Sequence, residues 1–226
     1  MTKLWHISDT HSFHNLLEIP LGIDIVIFSG DESNPFEVYK NEPECKDFIT
    51  WFGNLPIKNK IMVAGNHSAF ISKFTKEFKE LCRHFNIIYL ENESVEIEGL
   101  KIWGSPISPT FGDWYFMKSR DKMQKLWENI PDDTDILITH TPPRGILDLS
   151  YNRENKLEFC GCTNLRRHVF RVKPKLHLFG HIHNCEDIIN AGQTKLSVLE
   201  TIFSNGSVVT DGKFGKLSSN GNIFEL

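Results

Sequence analysis

Two histidines follow a short apolar segment in the last third of the chain. Residues 175–183 read Lys-Leu-His-Leu-Phe-Gly-His-Ile-His, where the apolar run predicts a buried strand and the histidines follow its end. In extended backbone, His181 and His183 point to the same side with Cα atoms about 6–7 Å apart. This spacing suits two imidazoles that bind metal ions. One His-x-His pair alone is a weak indication.

The same arrangement, an apolar strand followed at once by metal-binding residue types, recurs elsewhere in the chain. Predicted strands at 4–7, 23–28, 61–64 and 135–138 run into Ser-Asp-Thr-His, Ser-Gly-Asp, Gly-Asn-His and Thr-His. Open α/β sheets place functional residues beyond the carboxyl ends of their strands. If these strands are neighbours, one site receives the side chains Asp9, His11, Asp31, Asn66, His67, His140, His181 and His183.

Predicted helices alternate with these strands. Helical spacing of apolar residues predicts helices over 42–52, with Pro43 near the first turn, and over 71–85, 123–130 and 163–172, with Thr163 as the cap of the last. Residues 87–90 predict a strand, 95–102 a hairpin, 104–114 a loop, and the segment after 196, with Asn205-Gly206 and Asp211-Gly212, a β meander. The alternation predicts an α/β layered fold in a single domain over 1–226.

The composition is that of an ordinary globular protein, with 226 residues, 40% hydrophobic and 24% charged. We expect no membrane span, because no apolar run approaches about 18 residues, and no secretion signal at the amino terminus. The net charge of −4 argues against a broad basic surface for long nucleic acid, whereas a small anionic substrate is compatible with a locally positive site. Five cysteines without a disulfide pattern indicate reduced thiols and a cytoplasmic location.

The five strand endings occur in the order found in the calcineurin-like metallophosphoesterases, and the resemblance spans nearly the whole chain. Four segments resemble the metallophosphoesterase domain-containing (MPPED-type) branch: Trp-Phe-Gly-Asn-Leu-Pro at 51–56, Gly-Ser-Pro at 104–106, Thr-His-Thr-Pro-Pro at 139–143, and residues 172–183. The resemblance implies two packed mixed β-sheets flanked by helices. It also implies a phosphoesterase with two divalent metal ions.

The resemblance also assigns a role to each of these metal-binding residue types. Asp9, His11 and His183 would hold one ion, Asn66, His140 and His181 the other, and Asp31 would bridge both. Ligands of mixed imidazole and carboxylate type suit Mn²⁺, and Fe, Ni²⁺, Zn²⁺ or Mg²⁺ are alternatives. Two aspartates against a formal charge of +4 leave the site locally positive, which attracts a phosphate.

The resemblance also assigns His67 as the general acid for the leaving alkoxide, and Asn66 as a further contact to the phosphate. Related proteins usually have an acidic residue after this histidine, whereas this chain has Ser68. The difference leaves open what orients His67. The metal ligands are not affected by it.

The activity that the resemblance implies is hydrolysis of small phosphodiesters, such as cyclic nucleotides or aryl diesters, by a metal-activated hydroxide. Three alternatives stay open: a phosphomonoesterase or protein phosphatase on the same metals, a nuclease, and a non-catalytic nucleotide-binding module. A monoesterase needs extra cations, for which Arg144 is the nearest candidate, and a nuclease needs a basic groove. The residues themselves fix neither the diester preference nor the oligomeric state.

Several residues near the motifs have two open interpretations. Arg144 either contacts an anionic substrate or is solvated in its loop. The aromatic side chains at 111 and 114–116 either wall a substrate pocket or pack in the core; these are Phe111, Trp114, Tyr115 and Phe116.

The remaining cysteines and histidines are expected to be structural. Thiols near the site are predicted for Cys160, Cys162 and Cys185, with a second metal site as the alternative. His6 and His177 alternate with apolar residues inside strands. We expect surface or helix positions for His14, His84 and His168.

Overall fold

The computed structural model describes residues 1–185, 187–211 and 215–226. In chain order, the strands β1 to β15 are Lys3–Ile7, Ile25–Phe28, Asn59–Met62, Ile87–Tyr89, Glu93–Ile97, Leu100–Ser105, Ser108–Pro109, Met117–Lys118, Ile136–Thr139, Leu149–Tyr151, Leu157–Phe159, Leu176–Phe179, Gly192–Lys195, Ile202–Asn205 and Asn222–Glu225. The α-helices α1 to α5 are Val38–Gly53, Ala69–Lys73, Thr75–His84, Arg120–Glu128 and Thr163–Val172. A 3₁₀ turn covers His14–Leu16.

Two large mixed sheets contain most of the described strands. The first has the order β15-β1-β2-β3-β4, in which only β15 is antiparallel to its neighbour. The second has the order β13-β14-β12-β9-β6-β5, which is parallel in the middle and antiparallel at both edges. The predicted α/β fold class of two mixed sheets with flanking helices is therefore confirmed.

Side chains alternate between the two faces of each sheet, which gives four layers. On its outer face the first sheet packs Trp5 and Phe28 against helices α1 to α3, including Phe48 and Phe78. The outer face of the second sheet packs against α4 and α5, through side chains that include Trp103, Leu137, Phe179, Met123, Trp127, Leu165 and Val169. Between the sheets lies an apolar cluster with members from both, including Leu4, Ile25, Ile27, Ile61, Ile102, Ile136, Ile138, Leu176 and Leu178.

One polar side chain, His6 of β1, joins the two sheets through their interior. Its Nδ1 lies 2.7 Å from the Ser204 hydroxyl of β14, in the second sheet. Its Nε2 lies 2.9 Å from the hydroxyl of Ser29, which directly follows β2. Gly206 leaves room for the ring, because a Cβ there would approach the imidazole to 2.6 Å. His6 therefore has a structural role, as its position in the strand predicts.

Two predicted helices differ from the observed ones. Helix α1 begins at Val38, so Pro43 lies inside it and not near its first turn, and the proline lacks an N–H to donate to Tyr39. The helix predicted over 71–85 is wrong as a single element, because Phe74, with φ −123° and ψ 41°, separates α2 from α3. The Thr75 hydroxyl donates to the Ile71 carbonyl at 2.8 Å at this break. No helix among the described residues is both long and apolar enough to cross a membrane.

Three further predictions need correction. Thr163 is the first residue of α5, and the cap is Cys162, whose sulfur accepts a hydrogen bond from the Leu165 N–H. The predicted loop 104–114 contains β7, which pairs with β8. The tail is no simple meander, because β14 runs parallel to β12 and β15 crosses to the first sheet. Gly212 of the second predicted turn lies outside the described residues.

The histidines outside the motifs occupy different environments. His14 lies in the 3₁₀ turn and is fully buried, with its Nε2 3.0 Å from a carboxylate oxygen of Asp47, so a surface position is wrong for it. His84 ends α3 and is exposed. His168 is buried on α5, where its Nε2 contacts the Gln124 amide at 3.0 Å.

The buried His177 predicts how stability depends on pH. Burial, followed by the charge of His6, lowers the pKa of His177 from 6.5 to about 3, while its Nε2 lies 2.9 Å from the Thr139 hydroxyl. Below pH 6.5 the His177 imidazole is protonated in the unfolded chain, whereas it stays neutral in the folded protein until about pH 3. The free energy of unfolding therefore falls with falling pH, by about 1.4 kcal/mol per pH unit for this group between about pH 6 and 4.

The variant His177→Gln keeps a donor for Thr139 and removes the titration. We expect its unfolding free energy to depend less steeply on pH, by about 1.4 kcal/mol per unit between about pH 6 and 4. Urea unfolding in the presence of a chelator measures the slope, and His84→Gln, at an exposed position, is the matched control. An unchanged slope in His177→Gln would contradict the assignment of a neutral buried imidazole.

Candidate metal centre and substrate cavity

The carboxyl ends of the central strands of both sheets meet at one edge of the sandwich. In the first sheet, Ile7 of β1 pairs in register with Phe28 of β2, and Phe28 pairs with Met62 of β3. The segments after these strands carry the predicted site residues of the first sheet. In the second sheet, β9 and β12 end beside each other, and the Gly180 N–H donates to the His140 carbonyl at 3.1 Å.

Close packing at this edge depends on glycine. Gly30 has φ +109°, and a Cβ there would lie 2.5 Å from Nδ1 of His140. A Cβ at Gly180 would lie 2.1 Å from a carboxylate oxygen of Asp9. Only residues without a side chain bring the backbone of one sheet so near the site residues of the other.

Four of the predicted ligands have left-handed backbone conformations, which non-glycine residues rarely adopt. The φ angles are 51° at Asp9, 41° at His11, 61° at Asp31 and 73° at His181. Each costs about 1–2 kcal/mol relative to the ordinary helical or extended regions. These conformations occur just after the strands end, and the surrounding fold maintains them. The sharp change of chain direction there turns the side chains of the predicted ligands toward one another.

The first group of potential ligands combines Asp9, His11 and His183. Their ligand atoms all lie within 4.8 Å of one another. His183 Nε2 is 3.2 Å from Asp9 Oδ1 and 3.3 Å from His11 Nε2. Asp9 is fully buried and also accepts the His181 N–H at 3.0 Å, which fixes the carboxylate between the two sheets.

The second group combines Asp31, His140 and His181, again with ligand atoms within 4.8 Å of one another. His140 Nε2 lies 3.2 Å from Asp31 Oδ2 and 2.9 Å from the amide oxygen of Asn66. Its Nδ1 donates to the Ser29 carbonyl at 2.9 Å. The structure thus brings all seven predicted ligands to this edge of the sheets, and Asn66 joins the second group.

The hydrogen bonds of these histidines direct ring-nitrogen lone pairs toward the space between the ligand atoms. The Nδ1 atoms of His11 and His183 lie 3.0 Å from the Ser33 carbonyl and 3.0 Å from an Asp211 carboxylate oxygen, which only accept, so both Nδ1 atoms carry the proton. In the neutral rings, the two Nε2 lone pairs then face each other. The same holds for His140, whose Nε2 faces only acceptor oxygens. Groups of converging lone pairs are what a metal ion satisfies.

The two buried aspartates are ionised. Burial alone would raise the pKa of Asp9, but the hydrogen bond and charge of His183 outweigh it and lower that pKa to about 2. Burial likewise opposes ionisation of Asp31, yet the charges of His140 and His67 hold its pKa well below the usual range. The negative potential of these carboxylates favours a cation in each group.

The histidines respond to the same potential. Burial would lower the pKa of His140 and of His183, but Asp31 raises the first to about 9, and Asp211 with Asp9 raises the second to about 10. Burial lowers the pKa of His181 to about 3, with a further contribution from the charge of His140. In the absence of a metal ion, each carboxylate therefore favours a positive charge beside it, which a proton on His140 or His183 supplies and which a bound cation would supply in its place.

Asp211 is a site residue that the sequence motifs do not indicate. Its carboxylate lies 3.0 Å from His183 Nδ1, and its N–H donates to the Asn184 carbonyl at 2.8 Å. A carboxylate on the far nitrogen of a metal-binding histidine fixes the ring and raises its basicity. An Asp before a glycine reads as a turn residue, so no local pattern indicates this role.

Replacing Asp211 by asparagine should weaken metal binding without abolishing it. The amide oxygen still accepts the Nδ1 proton, but the negative charge that supports His183 is lost, so we expect affinity to fall by about 10- to 100-fold. Calorimetric titration of the metal-free protein with Mn²⁺ measures the change. Asp187→Asn, at an exposed position in the same part of the chain, is the control. Equal affinities of Asp211→Asn and wild type would contradict the role.

His67 is held in place without an acidic residue directly after it in the chain. Its Nδ1 lies 2.8 Å from the Asn34 carbonyl, its N–H donates to Asp31 Oδ1 at 2.7 Å, and its ring packs 4.4 Å from that of Trp114. The Ser68 hydroxyl donates instead to the buried carboxylate of Glu32 at 2.6 Å. The His67 ring is therefore oriented by the Asn34 carbonyl and the Trp114 ring.

A cavity of about 440 Å³ opens beside both ligand groups. His67, Asn66 and several candidate ligands form one part of its wall, and Arg144 lines it as well. Among the predicted aromatic residues, Phe111 and Trp114 line the cavity, and Phe111 is 51% exposed.

Other aromatic and sulfur side chains near the cavity divide between wall and core. Phe116 packs against both outer apolar clusters, so it belongs to the core. Tyr115 donates its hydroxyl hydrogen to the Phe36 carbonyl at 3.2 Å. Phe159, which the sequence did not indicate, and Cys160 line the cavity, whereas Cys162 is buried as the cap of α5.

Two mixed sheets whose strand ends carry two groups of potential metal ligands define the class of protein, a layered α/β fold with a candidate metal centre at one edge. The chain belongs to the calcineurin-like phosphoesterase family, whose family model matches residues 2–185. This confirms the family indicated by the sequence motifs.

Individual relatives confirm the branch as well. The chain is 35% identical over 216 residues to human "Metallophosphoesterase domain-containing protein 1", covering 85% of this chain and 64% of that protein. A UPF0046 protein of Caenorhabditis elegans is 35% identical over 206 residues, covering 83% and 71%. One crystal structure has the same fold, with a TM-score of 0.67 at 16% identity over 90% of this chain and 89% of its own. The chain thus spans somewhat less than two thirds of the human relative.

Proposed function

We propose that this protein is a phosphodiesterase that hydrolyses cyclic nucleotides or other small phosphodiesters with two divalent metal ions. The observation that carries the proposal is that both ligand groups border a single cavity, which His67 and exposed aromatic side chains also line. A phosphoester in this cavity meets a metal-binding surface, a proton donor and an apolar wall together.

In this proposal each ion has its own ligands. Asp9, His11 and His183 would hold the first, Asn66, His140 and His181 would hold the second, and Asp31, which lies in the second group, would serve both. Mn²⁺ is the first candidate for this mixture of imidazole, carboxylate and amide donors, which Fe, Ni²⁺, Zn²⁺ and Mg²⁺ also suit. When bound, such ions activate water and offset charge on the phosphoryl oxygens.

His67 supplies the proton for the leaving alkoxide. The Asn34 carbonyl accepts the hydrogen on Nδ1, so a proton given to the leaving group comes from Nε2 of the imidazolium form, and the ring is left neutral with its hydrogen on Nδ1. The contact with Trp114 keeps the ring at the cavity wall. Asn66 turns its oxygen to His140, and its amide N–H₂ donates to no other described residue, so it can donate to a phosphate oxygen.

The cavity favours a diester with a planar organic group. Phe111, Trp114 and Phe159 all border it, and Phe111 and Phe159 are 51% and 49% exposed. Half-exposed aromatic faces beside a metal site suit stacking against a nucleobase or an aryl group. This supports a nucleoside or aryl phosphodiester as the substrate class.

Four substrates test the proposal. The purified protein is loaded with Mn²⁺ and offered bis-p-nitrophenyl phosphate, p-nitrophenyl phosphate, cyclic nucleotides and single-stranded RNA. We expect the diester and the cyclic nucleotides to be cleaved faster than the monoester, and a chelator to stop the reaction. Preference for the monoester would instead identify a phosphomonoesterase, and preference for RNA a nuclease. If no substrate is cleaved with any divalent ion, the catalytic proposal fails.

A further inference from the structure

Two arginines from distant parts of the chain line the same cavity as the candidate metal ligands. Arg120 is the first residue of α4, and Arg144 lies in the loop after β9. The sequence motifs indicated Arg144 alone. Their joint position gives the cavity a cationic part in addition to the metal-binding part.

Both guanidinium groups lack an acidic partner within the described ranges. No described carboxylate oxygen lies within 4.0 Å of either group, whereas Arg171 pairs with Asp132 elsewhere on the surface. A guanidinium binds carboxylate or phosphate strongly because its N–H donors match two oxygens at once. Two such groups at one cavity have the chemistry that an anion with several oxygens requires.

Side chains of helix α5 donate hydrogen bonds to the backbone carbonyls of both arginines. The Asn164 amide of α5 donates to the Arg120 carbonyl at 3.1 Å, and Arg166 of α5 donates to the Arg144 carbonyl at 2.7 Å. Arg144 also donates one of its own N–H groups to the Phe159 carbonyl. The side chain of Arg144 is therefore fixed at the cavity wall, with its remaining donors available to a ligand.

Cys160 lines the same cavity as both arginines. Burial raises the pKa of its thiol, followed by the charges of Glu158 and Asp148, whereas the charges of Arg144 and Arg120 act in the opposite direction. The charges of both guanidinium groups thus lower the pKa of the same thiol in the cavity wall. Glu158 lines the cavity too, and its carboxylate opposes binding of an anion there.

We propose that Arg120 and Arg144 bind a second phosphate of the substrate, so that the preferred substrate is a nucleoside phosphodiester carrying a terminal phosphate beyond the scissile one. The inference rests on the phosphodiesterase function proposed above. A cyclic mononucleotide has a single phosphate, which the metal ions would take, and it leaves both arginines without an anion. A terminal phosphate elsewhere on the same nucleoside supplies it.

A matched pair of chromogenic substrates tests the inference. Thymidine 5′-p-nitrophenyl phosphate is compared with the same compound carrying a 3′-phosphate, so that the leaving group is identical. We expect the 3′-phosphate to raise kcat/KM about tenfold or more, as charge-assisted hydrogen bonds of this kind do. The double variant Arg120→Gln, Arg144→Gln should lose this advantage, so that it hydrolyses the two compounds with equal kcat/KM.

Two further variants sharpen the test. Arg153→Gln changes an exposed arginine that does not line the cavity, and it should keep the full advantage. Glu158→Gln removes the opposing charge and should increase the advantage severalfold. Equal kcat/KM for the two compounds in the wild type, or an advantage that survives in the double variant, overturns the inference. Failure to hydrolyse bis-p-nitrophenyl phosphate overturns the phosphodiesterase proposal itself, so the two failures are distinguishable.

Discussion

Replacing Asp31 by asparagine is expected to remove metal binding and hydrolysis together. We expect kcat/KM to fall by roughly a thousandfold or more, because the metal ions contribute several kcal/mol to stabilisation of the transition state. Metal content after dialysis, measured by elemental analysis, should fall in parallel with activity.

The contacts of Asp31 explain the size of this effect. Oδ1 of Asp31 accepts the backbone N–H of His67 at 2.7 Å. Oδ2 lies 3.2 Å from His140 Nε2 and faces the second ligand group. Asparagine keeps the shape and one acceptor but has no negative charge. Its N–H₂ group also places a donor where a cation needs a lone pair, so the change acts on charge and geometry at once.

The control is Asp113→Asn, which changes an exposed aspartate that does not line the cavity and should leave metal content and activity unchanged. His181→Ala, from the other sheet, should reproduce the loss, because the second ligand group needs both sheets. If Asp31→Asn retained its full metal content, the ligand assignment would be wrong, whatever happened to activity.

The sequence predicts those site residues that directly follow a strand in the chain. An apolar strand and the ligands that follow it are adjacent in the chain, so Asp9, His140 and His183 carry a signal that needs no knowledge of distant contacts. The strand alternation likewise predicts the layered fold. The structure adds the pairing of the sheets that places these strand ends together.

The residues that sequence reasoning missed depend on long-range packing. Asp211 reaches His183 because the chain returns past the strand ends after β14, and Arg120 reaches the cavity because α4 packs beside α5. Phe159 lies on a hairpin whose residues are mostly exposed, which no burial pattern marks as functional. Such contacts are set by tertiary structure and leave no periodic signal.

The break in the helix predicted over 71–85 has a similar cause. Apolar residues at helical spacing continue through Phe74, so periodicity alone predicts one helix. In the fold, α2 and α3 both pack against the first sheet, and the chain turns at Phe74, which is 47% exposed. Periodicity reports which residues face the core; it does not report where the axis changes direction.

His67→Ala is expected to separate proton transfer from metal binding. The variant should keep its metal ions, because none of the proposed ligands is removed, and should slow each substrate according to its leaving group. For p-nitrophenolate, which departs without a proton, we expect a small effect. For a nucleoside alkoxide, which needs one, the rate should fall by about 10²- to 10⁴-fold. Cleavage rates of bis-p-nitrophenyl phosphate and of a cyclic nucleotide measure the difference.

A second variant protects this prediction against simple disruption of the loop. In His67→Asn the side-chain amide can still donate to the Asn34 carbonyl, as Nδ1 does at 2.8 Å, but no atom replaces Nε2. Both variants should therefore show the same dependence on the leaving group, while His84→Ala, at an exposed histidine, should show none. Equal slowing of both substrates would mean that His67 positions the phosphate and does not protonate the leaving group, because only proton transfer distinguishes an alkoxide from nitrophenolate.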